Sequence, residues 1–335
     1  MRSSGILDRT IRCLNEARVE TALFEGVEEE PTVATVDRIR GVLAEAKAEF
    51  VIGLGGGSAM DAAKAAAGLA RETSPTAVFL RDESQARPGL PTIAIATTSG
   101  TGAEVTPNAV ITDPAGPLKA SLRKGRFLPE AAFVDPELTL PCPPRVTAQS
   151  GMDALTQAIE SFVSIHATPV TDALAFEGFR LLWGSLERAY TKGDDLEART
   201  ACSYGSLLAG MALANARLGA VHGIVHPLGA RYGIPHGLVC AALVPEVTEM
   251  NLASASAKYT RLAQAAGVDL VRGLRDLNER LDIYGDLSRY RIPGKDLAVI
   301  AEESLQSGSL KANPRKFGRD EVAEVLLALK SRTGI

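Results

Sequence analysis

The sequence predicts an α/β domain built on a parallel sheet over residues 1–140, followed by an all-α domain over residues 141–335. Three observations carry this reading. Apolar runs alternate with helical segments in the first third. Three prolines stand within four residues at Pro141, Pro143 and Pro144. Downstream of them the apolar residues recur at helical spacing almost throughout.

Taken in order, "VETALFEGV" (19–27) reads as a short strand ending near Gly26. "TVATVDRIRGVLAEAKA" then places Val36, Ile39, Val42, Leu43 and Ala46 at helical intervals, with Thr32 as the N-cap. "EFVIGL" (49–54) reads as a continuous apolar strand buried on both faces, and "GGGS" opens an alanine-rich helix. "TAVFL" (76–80) and "PTIAIATT" (91–98) read as further buried strands. The proline cluster stops regular structure and sets the domain boundary. The windows 147–164, 171–190, 197–219 and 255–267 carry a 3.6-residue period with few β-branched runs.

Composition excludes several classes. The 335 residues are 46% apolar, enough for a full core in each of two domains, and the net charge is −4 from 36 basic and 40 acidic residues. No basic block stands out, which argues against nucleic acid and anionic membranes as partners. Cys13, Cys142, Cys202 and Cys240 are scattered and form no CxxC, a pattern of reducing compartments rather than of disulfide frameworks. There is no long apolar run, and the start lacks the apolar core of a signal peptide. A cytoplasmic protein is expected.

Gly55, Gly56 and Gly57 follow an apolar strand and precede a helix. Bare backbone and free N–H groups at a helix N-terminus suit a pyrophosphate, with Ser58 as a cap. The spacing is not GxGxxG, and a tight structural turn is the plainer alternative. "ATTSGTGAEVTPNAVITD" (96–113) leaves the next strand crowded with Thr, Ser and Gly, where open α/β sheets bind ligands. A simple Thr/Gly turn explains that segment equally well on its own.

The chain has four histidines, and three of them, His222, His226 and His236, fall within "HGIVHPLGARYGIPHG". Composition alone would place about 0.2 in such a window. His222 and His226 share a helix face, and the intervening turn lets His236 return. Imidazole is the commonest transition-metal ligand, so a metal or catalytic site is expected. Gly223 stands where HExxH would need Glu, so this is not the zincin motif. Asp153 offers a carboxylate and Gln157 an amide one turn later, but spacing alone does not bring them to the histidines.

With these segments assembled, the chain resembles the iron-containing alcohol dehydrogenase family. "GGGSAMDAAK", "TTSGTGAEVTPNAVITD", "GMDALTQAIESFVS", "HGIVHPLGARYGIPHG" and "ANPRKF" occur in the family's order and spacing. The resemblance implies an N-terminal dinucleotide-binding domain, a helical C-terminal domain and an active site in the cleft between them. It implies that Gly55, Gly56, Gly57 and Ser58 hold the pyrophosphate of NAD or NADP. Asp61, Thr97, Thr98, Thr101, Thr106, Asn108 and Lys119 would complete the cofactor site. Asp153, Gln157, His222 and His236 would hold a divalent metal, Fe²⁺ or Zn²⁺. His226 would lie beside a small alcohol or aldehyde substrate and relay its proton. His166 matches no family site and reads as an ordinary surface or helix residue. A homodimer is the expected assembly.

Three departures modify the expectation. Gln157 replaces the family's usual second helical histidine; an amide oxygen is a weaker ligand, so metal binding is expected to be weakened or lost, with a retained but altered site favoured. The family places another strand before residue 1, so the sheet is expected to lack its first strand or to gain it from residues upstream. Glu29 and Glu30 stand where relatives carry Pro and Asn, and a carboxylate beside a cofactor phosphate would repel it; an ordinary solvated acidic loop is the plainer reading. A metal-independent reductase of the same fold, of the maleylacetate reductase type, and a non-catalytic nucleotide-binding relative are the alternatives. A zinc hydrolase would explain the histidines but not the glycine loop.

Overall fold

The structure is a computed structural model that describes residues 4–82, 87–115 and 119–334. The chain divides into two compact units, Met1–Thr98 with Ala103–Pro141, and Ser99–Gly102 with Cys142–Ile335. The break after Pro141 falls inside the proline cluster. The short excursion at 99–102 joins the second unit through Ser206, which donates to the Gly100 carbonyl at 3.1 Å, and Ser99, whose hydroxyl lies 3.1 Å from that of Ser203.

The first unit holds α1 (Ile6–Glu16), α2 (Val33–Glu45), β1 (Val51–Gly55), α3 (Gly57–Gly68), α4 (Thr76–Arg81) and β2 (Thr92–Ala96). β3 (Asn108–Thr112), β4 (Lys119–Arg123) and β5 (Ala131–Phe133) follow. β1, β2 and β5 form a parallel sheet in that order, with Val51 opposite Thr92 and Ile93 opposite Ala131. β3 and β4 pair antiparallel as a separate ribbon. This is the expected strand–helix alternation, with α3 as the crossover between β1 and β2.

Thr32 caps α2 as expected: its hydroxyl accepts from the Thr35 N–H at 3.2 Å. Val36 and Ile39 of that helix pack with Ala62, Ala65 and Leu69 of α3 and with Ile111 and Leu122 of the ribbon. Alanines make up half of α3 and give its packed face small side chains.

Four local expectations are corrected. Residues 19–27 form no strand; the stretch is largely exposed, Leu23 at 45%, and has no ladder partner among the described residues. A strand without a partner leaves its N–H and C=O groups to water. "TAVFL" is helix, not strand. Asp37 on α2 accepts from the Thr76 N–H at 3.0 Å and from its hydroxyl at 2.6 Å, which fixes the first turn of α4. Thr76 and Phe79 then bury one helix face. β1 is not buried on both faces: Val51, Gly53 and Gly55 are buried and the residues between them only partly so. Ser58 does not cap α3, whose N-cap is Gly56; the Ser58 hydroxyl donates instead to the Glu29 carbonyl.

The second unit is helical, as expected. α5 (Pro144–Val163), α6 (Pro169–Thr191), α7 (Leu196–Ala216), α8 (Ala220–Tyr232) and α9 (His236–Asn251) come first. α10 (Ser256–Ala266), α11 (Leu270–Arg280), α12 (Ile283–Leu287), α13 (Leu297–Ser304) and α14 (Arg319–Thr333) complete it. Its core runs through α5, α6 and α9, with Met152, Leu155, Phe162, Phe179, Leu182 and Leu243 fully enclosed. Each such side chain contributes about 1.5–3 kcal/mol over exposure, so this core dominates the unit's stability. Among the described residues no single helix is long and apolar enough to cross a membrane; α7 and α8 together reach that apolarity but bend by 101°.

Candidate active site

Asp153, Gln157 and Glu160 lie on α5 at i, i+4 and i+7, so one helix face carries all three. His222 and His226 lie on α8, and His236 and Cys240 on the first turns of α9. The fold brings these faces together within the second unit. His222 Nε2 is 3.2 Å from Asp153 Oδ1, and His236 Nε2 is 3.7 Å from the same oxygen. Cys240 Sγ is 3.8 Å from His222 Nε2. The His226 and His236 rings follow at 5.7 Å between centroids. One ligand atom each from Asp153, His222, His236 and Cys240 lies within 4.8 Å of the other three.

The far side of His222 is tied down. Its Nδ1 shares a 2.6 Å hydrogen bond with Glu160 Oε2, while Glu160 Oε1 accepts from the Val221 N–H at 2.6 Å. Glu160 thereby fixes the tautomer and direction of the ring and leaves Nε2 facing Asp153 and Cys240, as carboxylate–histidine pairs do behind metals. The neighbouring Ala220 N–H is taken by Asn313 Oδ1 at 3.1 Å. Asn313 is held in turn by Asn251 through reciprocal bonds of 3.0 and 2.8 Å. The late "ANPRKF" motif therefore serves to anchor the first turn of α8.

Electrostatics follow from burial. Burial opposes charge on Asp153, but the imidazoles of His236 and His222 outweigh it and hold the carboxyl below its usual pKa. Burial likewise opposes charge on His222; the Cys240 sulfur and the hydrogen bonds to Asp153 and Glu160 prevail and raise its pKa well above the ordinary value. Burial pushes the Cys240 thiol up to about 12, against the pull of His222.

The donor set fits a divalent metal: one carboxylate, two imidazoles and one thiol converge from three helices. Gln157 adds an unsatisfied atom. Its amide nitrogen donates to Asp153 Oδ2 at 3.1 Å, and its buried Oε1 has no hydrogen-bond partner.

In the first unit, Gly55, Gly56, Gly57 and Ser58 turn from β1 into α3. Gly55 has φ +148°, open to glycine and strained for other residues. A Cβ on Gly56 would stand 3.2 Å from the Thr98 hydroxyl. The loop is thus a bare-backbone cradle at a helix N-terminus, which fits a phosphate group. Thr97 is buried at the end of β2, with its N–H donating to the Gly55 carbonyl at 2.9 Å. Thr106 is buried and Asn108 starts β3. Asp61 is occupied: Oδ2 accepts from the Val110 N–H at 3.0 Å, and Oδ1 is 2.9 Å from Lys64 Nζ. Lys64 is fully buried and also donates to the carbonyls of Ala103 at 2.8 Å and Thr106 at 3.3 Å, so it braces the threonine-rich loop. Thr101 belongs to the stretch that joins the second unit. Lys119 opens β4 opposite Thr112; its side chain lies outside the described residues.

Beside the cradle, Glu28 is partnered by the Thr35 hydroxyl at 2.7 Å and by Arg38 at 3.3 Å, so one of the three acidic side chains is structural. His166 sits exposed in the turn after α5.

Glu160, Cys240 and Lys64 escaped sequence reading. Glu160 follows Asp153 by seven residues and Cys240 follows His236 by four, so helical spacing carried the signal for both. Neither forms a motif alone.

Comparison with known proteins now bears on these two arrangements. The chain matches the model of iron-containing alcohol dehydrogenase over residues 1–136, and that of the Fe-containing alcohol dehydrogenase family, C-terminal, over residues 147–329. It is 34% identical over 333 residues to 1,3-propanediol dehydrogenase of Klebsiella pneumoniae, covering 96% of this chain and 86% of that protein. A crystal structure of 1,3-propanediol oxidoreductase superposes with a TM-score of 0.93 at 33% identity, covering 98% of this chain and 89% of the other. Sulfoacetaldehyde reductase from Bifidobacterium kashiwanohense, solved in complex with NAD⁺, superposes at 0.90 with 31% identity, covering 98% and 88%. The chain belongs to the iron-containing alcohol dehydrogenase family.

Proposed function

We propose that the chain is a metal-dependent, NAD(P)-linked alcohol dehydrogenase that also runs as an aldehyde reductase on small molecules. The observation that carries this is the meeting of Asp153 with His222 and His236, 69 and 83 residues downstream, in one cluster. A divalent metal held there would supply Lewis acidity toward an alcohol or carbonyl oxygen, and a bound nicotinamide would supply the hydride acceptor or donor.

The protein's own groups do the rest. Asp153, His222 and His236 hold the metal, and Glu160 keeps His222 aimed at it. Gly55, Gly56, Gly57 and Ser58 receive the pyrophosphate on the N–H groups at the start of α3. Thr97, Thr98, Thr106 and Asn108 contact the rest of the nucleotide, with Thr101 and Lys119 also assigned to it. Asp61 contributes by fixing α3 to β3. His226, one helical turn beyond His222 and partly exposed, carries the alcohol proton toward solvent.

NAD⁺ in the sulfoacetaldehyde reductase neighbour supports a nicotinamide nucleotide here. The converging donors weigh against the metal-independent reading. Free, scattered cysteines favour the cytoplasm. The outer edge of β1 favours a homodimer, which light scattering decides.

The test is His222→Ala, assayed for metal content, turnover of alcohols and aldehydes with NAD(H) and NADP(H), and circular dichroism. Metal and activity should be lost with helicity intact. A variant that keeps full turnover would refute the assignment.

A further inference from the structure

Resting on the metal reading above, we propose that Cys240, and not Gln157, completes the ligand set, making this a carboxylate–imidazole–imidazole–thiolate site selective for Zn²⁺. Two residues compete for the fourth position, one on each side of the cluster. Gln157 stands one turn after Asp153 on α5, and Cys240 one turn after His236 on α9. Each helix therefore offers an i, i+4 pair.

The geometry separates them. Cys240 Sγ lies within 4.8 Å of one ligand atom each from Asp153, His222 and His236. The sulfur is 3.8 Å from His222 Nε2, on the side of the ring that Glu160 leaves open. Gln157 turns its amide nitrogen to Asp153 Oδ2 at 3.1 Å, a donor that binds no cation. Its Oε1 is buried and has no hydrogen-bond partner. Gln157 so arranged steadies the second carboxylate oxygen of Asp153, while Oδ1 faces both imidazoles. Cys240 is fully buried and is held there by helix packing, not by a disulfide.

The chemistry of the set selects the ion. Thiolate is a soft ligand and a tetrahedral S, N, N, O arrangement suits Zn²⁺. In binding, the S–H bond breaks, the sulfur–metal bond forms and the proton leaves to solvent, with no change of oxidation state. Replacing an imidazole by an amide on one helix is thus offset by a thiol supplied from another.

The experiment uses the full-length protein stripped of metal and loaded with Co²⁺, then with Zn²⁺ in competition with Fe²⁺. Wild type should show a sulfur-to-cobalt charge-transfer band in the near ultraviolet beside tetrahedral d–d bands. Cys240→Ser should lose the charge-transfer band. Its Zn²⁺ affinity should fall by more than about 10–100-fold, the loss usual for second-shell partners alone. Its preference for Zn²⁺ over Fe²⁺ should narrow. Gln157→Leu should keep the band and bind Zn²⁺ within a few-fold of wild type. The wild-type spectrum needs no variant, so misfolding of a mutant cannot mask the answer. Bound Co²⁺ without the thiolate band, or a Gln157→Leu variant that loses metal where Cys240→Ser keeps it, overturns the proposal and spares the metal site. Failure of wild type to bind Co²⁺ or Zn²⁺ overturns both.

Discussion

Gly219→Ala should damage the second unit and its metal site together. Gly219 is the N-cap of α8, three residues before His222. A Cβ built there would stand 2.8 Å from Asn313 Oδ1 and 2.9 Å from Glu160 Oε1. Those are the two oxygens that hold the N–H groups of Ala220 and Val221. Neither can step aside freely: Asn313 is locked to Asn251, and Glu160 also holds His222. Displacing the carboxylate costs about 1.5–3 kcal/mol and displacing the amide about 0.5–1.5 kcal/mol. Stiffening of the unfolded chain returns about 0.4–1 kcal/mol. The net loss is roughly 1–4 kcal/mol, or several degrees in Tm. Gly184, exposed within α6 with open space around its Cβ position, supplies the contrast. Gly184→Ala should gain about 0.5–1 kcal/mol from helix propensity. Both are read by thermal denaturation, with Co²⁺ binding measured in parallel. Equal stability of Gly219→Ala and wild type, with undiminished Co²⁺ affinity, would refute this account of how α8 is anchored.

Two further outcomes follow from other sites. Lys64→Met removes a buried ammonium from Asp61 and from two carbonyls; the first unit should lose about 3–5 kcal/mol, and NADH, followed by fluorescence titration, should bind more weakly. Unchanged NADH affinity would show that the loop needs no brace. Arg231 pairs with Glu303, and its hydrogen bonds lower the carboxyl pKa from the ordinary 4.5. A depressed folded pKa gives stability that is complete above the unfolded value and fades as pH falls through the folded one. Both groups are partly exposed, so Glu303→Gln should cost only about 0.2–1 kcal/mol at pH 7, with the difference from wild type vanishing in acid below the depressed pKa. A gap in Tm that widens on acidification would contradict the pairing.

The glycine turn, the cap at Thr32 and the helical second half were legible because each rests on local chemistry: bare backbone, a hydroxyl before an amphipathic run, a 3.6-residue period. The two segments misread as strands, 19–27 and 76–80, are short apolar runs whose fate depends on partners. One has no neighbouring strand among the described residues; the other is drawn into a helix by Asp37, which no local pattern reveals. The histidine cluster signalled its chemistry by density, whereas its carboxylate required the fold. Cys240 carried only a weak signal, for a different reason. A single cysteine at a helical interval from a histidine is common, and only packing of α9 against α5 gives it company.

The anchoring of α8 by Asn313 also bears on how the protein is born. Glu160 aims the His222 ring, but the turn before it is held at the Ala220 N–H by an amide more than ninety positions later. On the ribosome, a nascent chain still short of that asparagine therefore holds the helix bearing the imidazoles by only one of its two oxygen anchors.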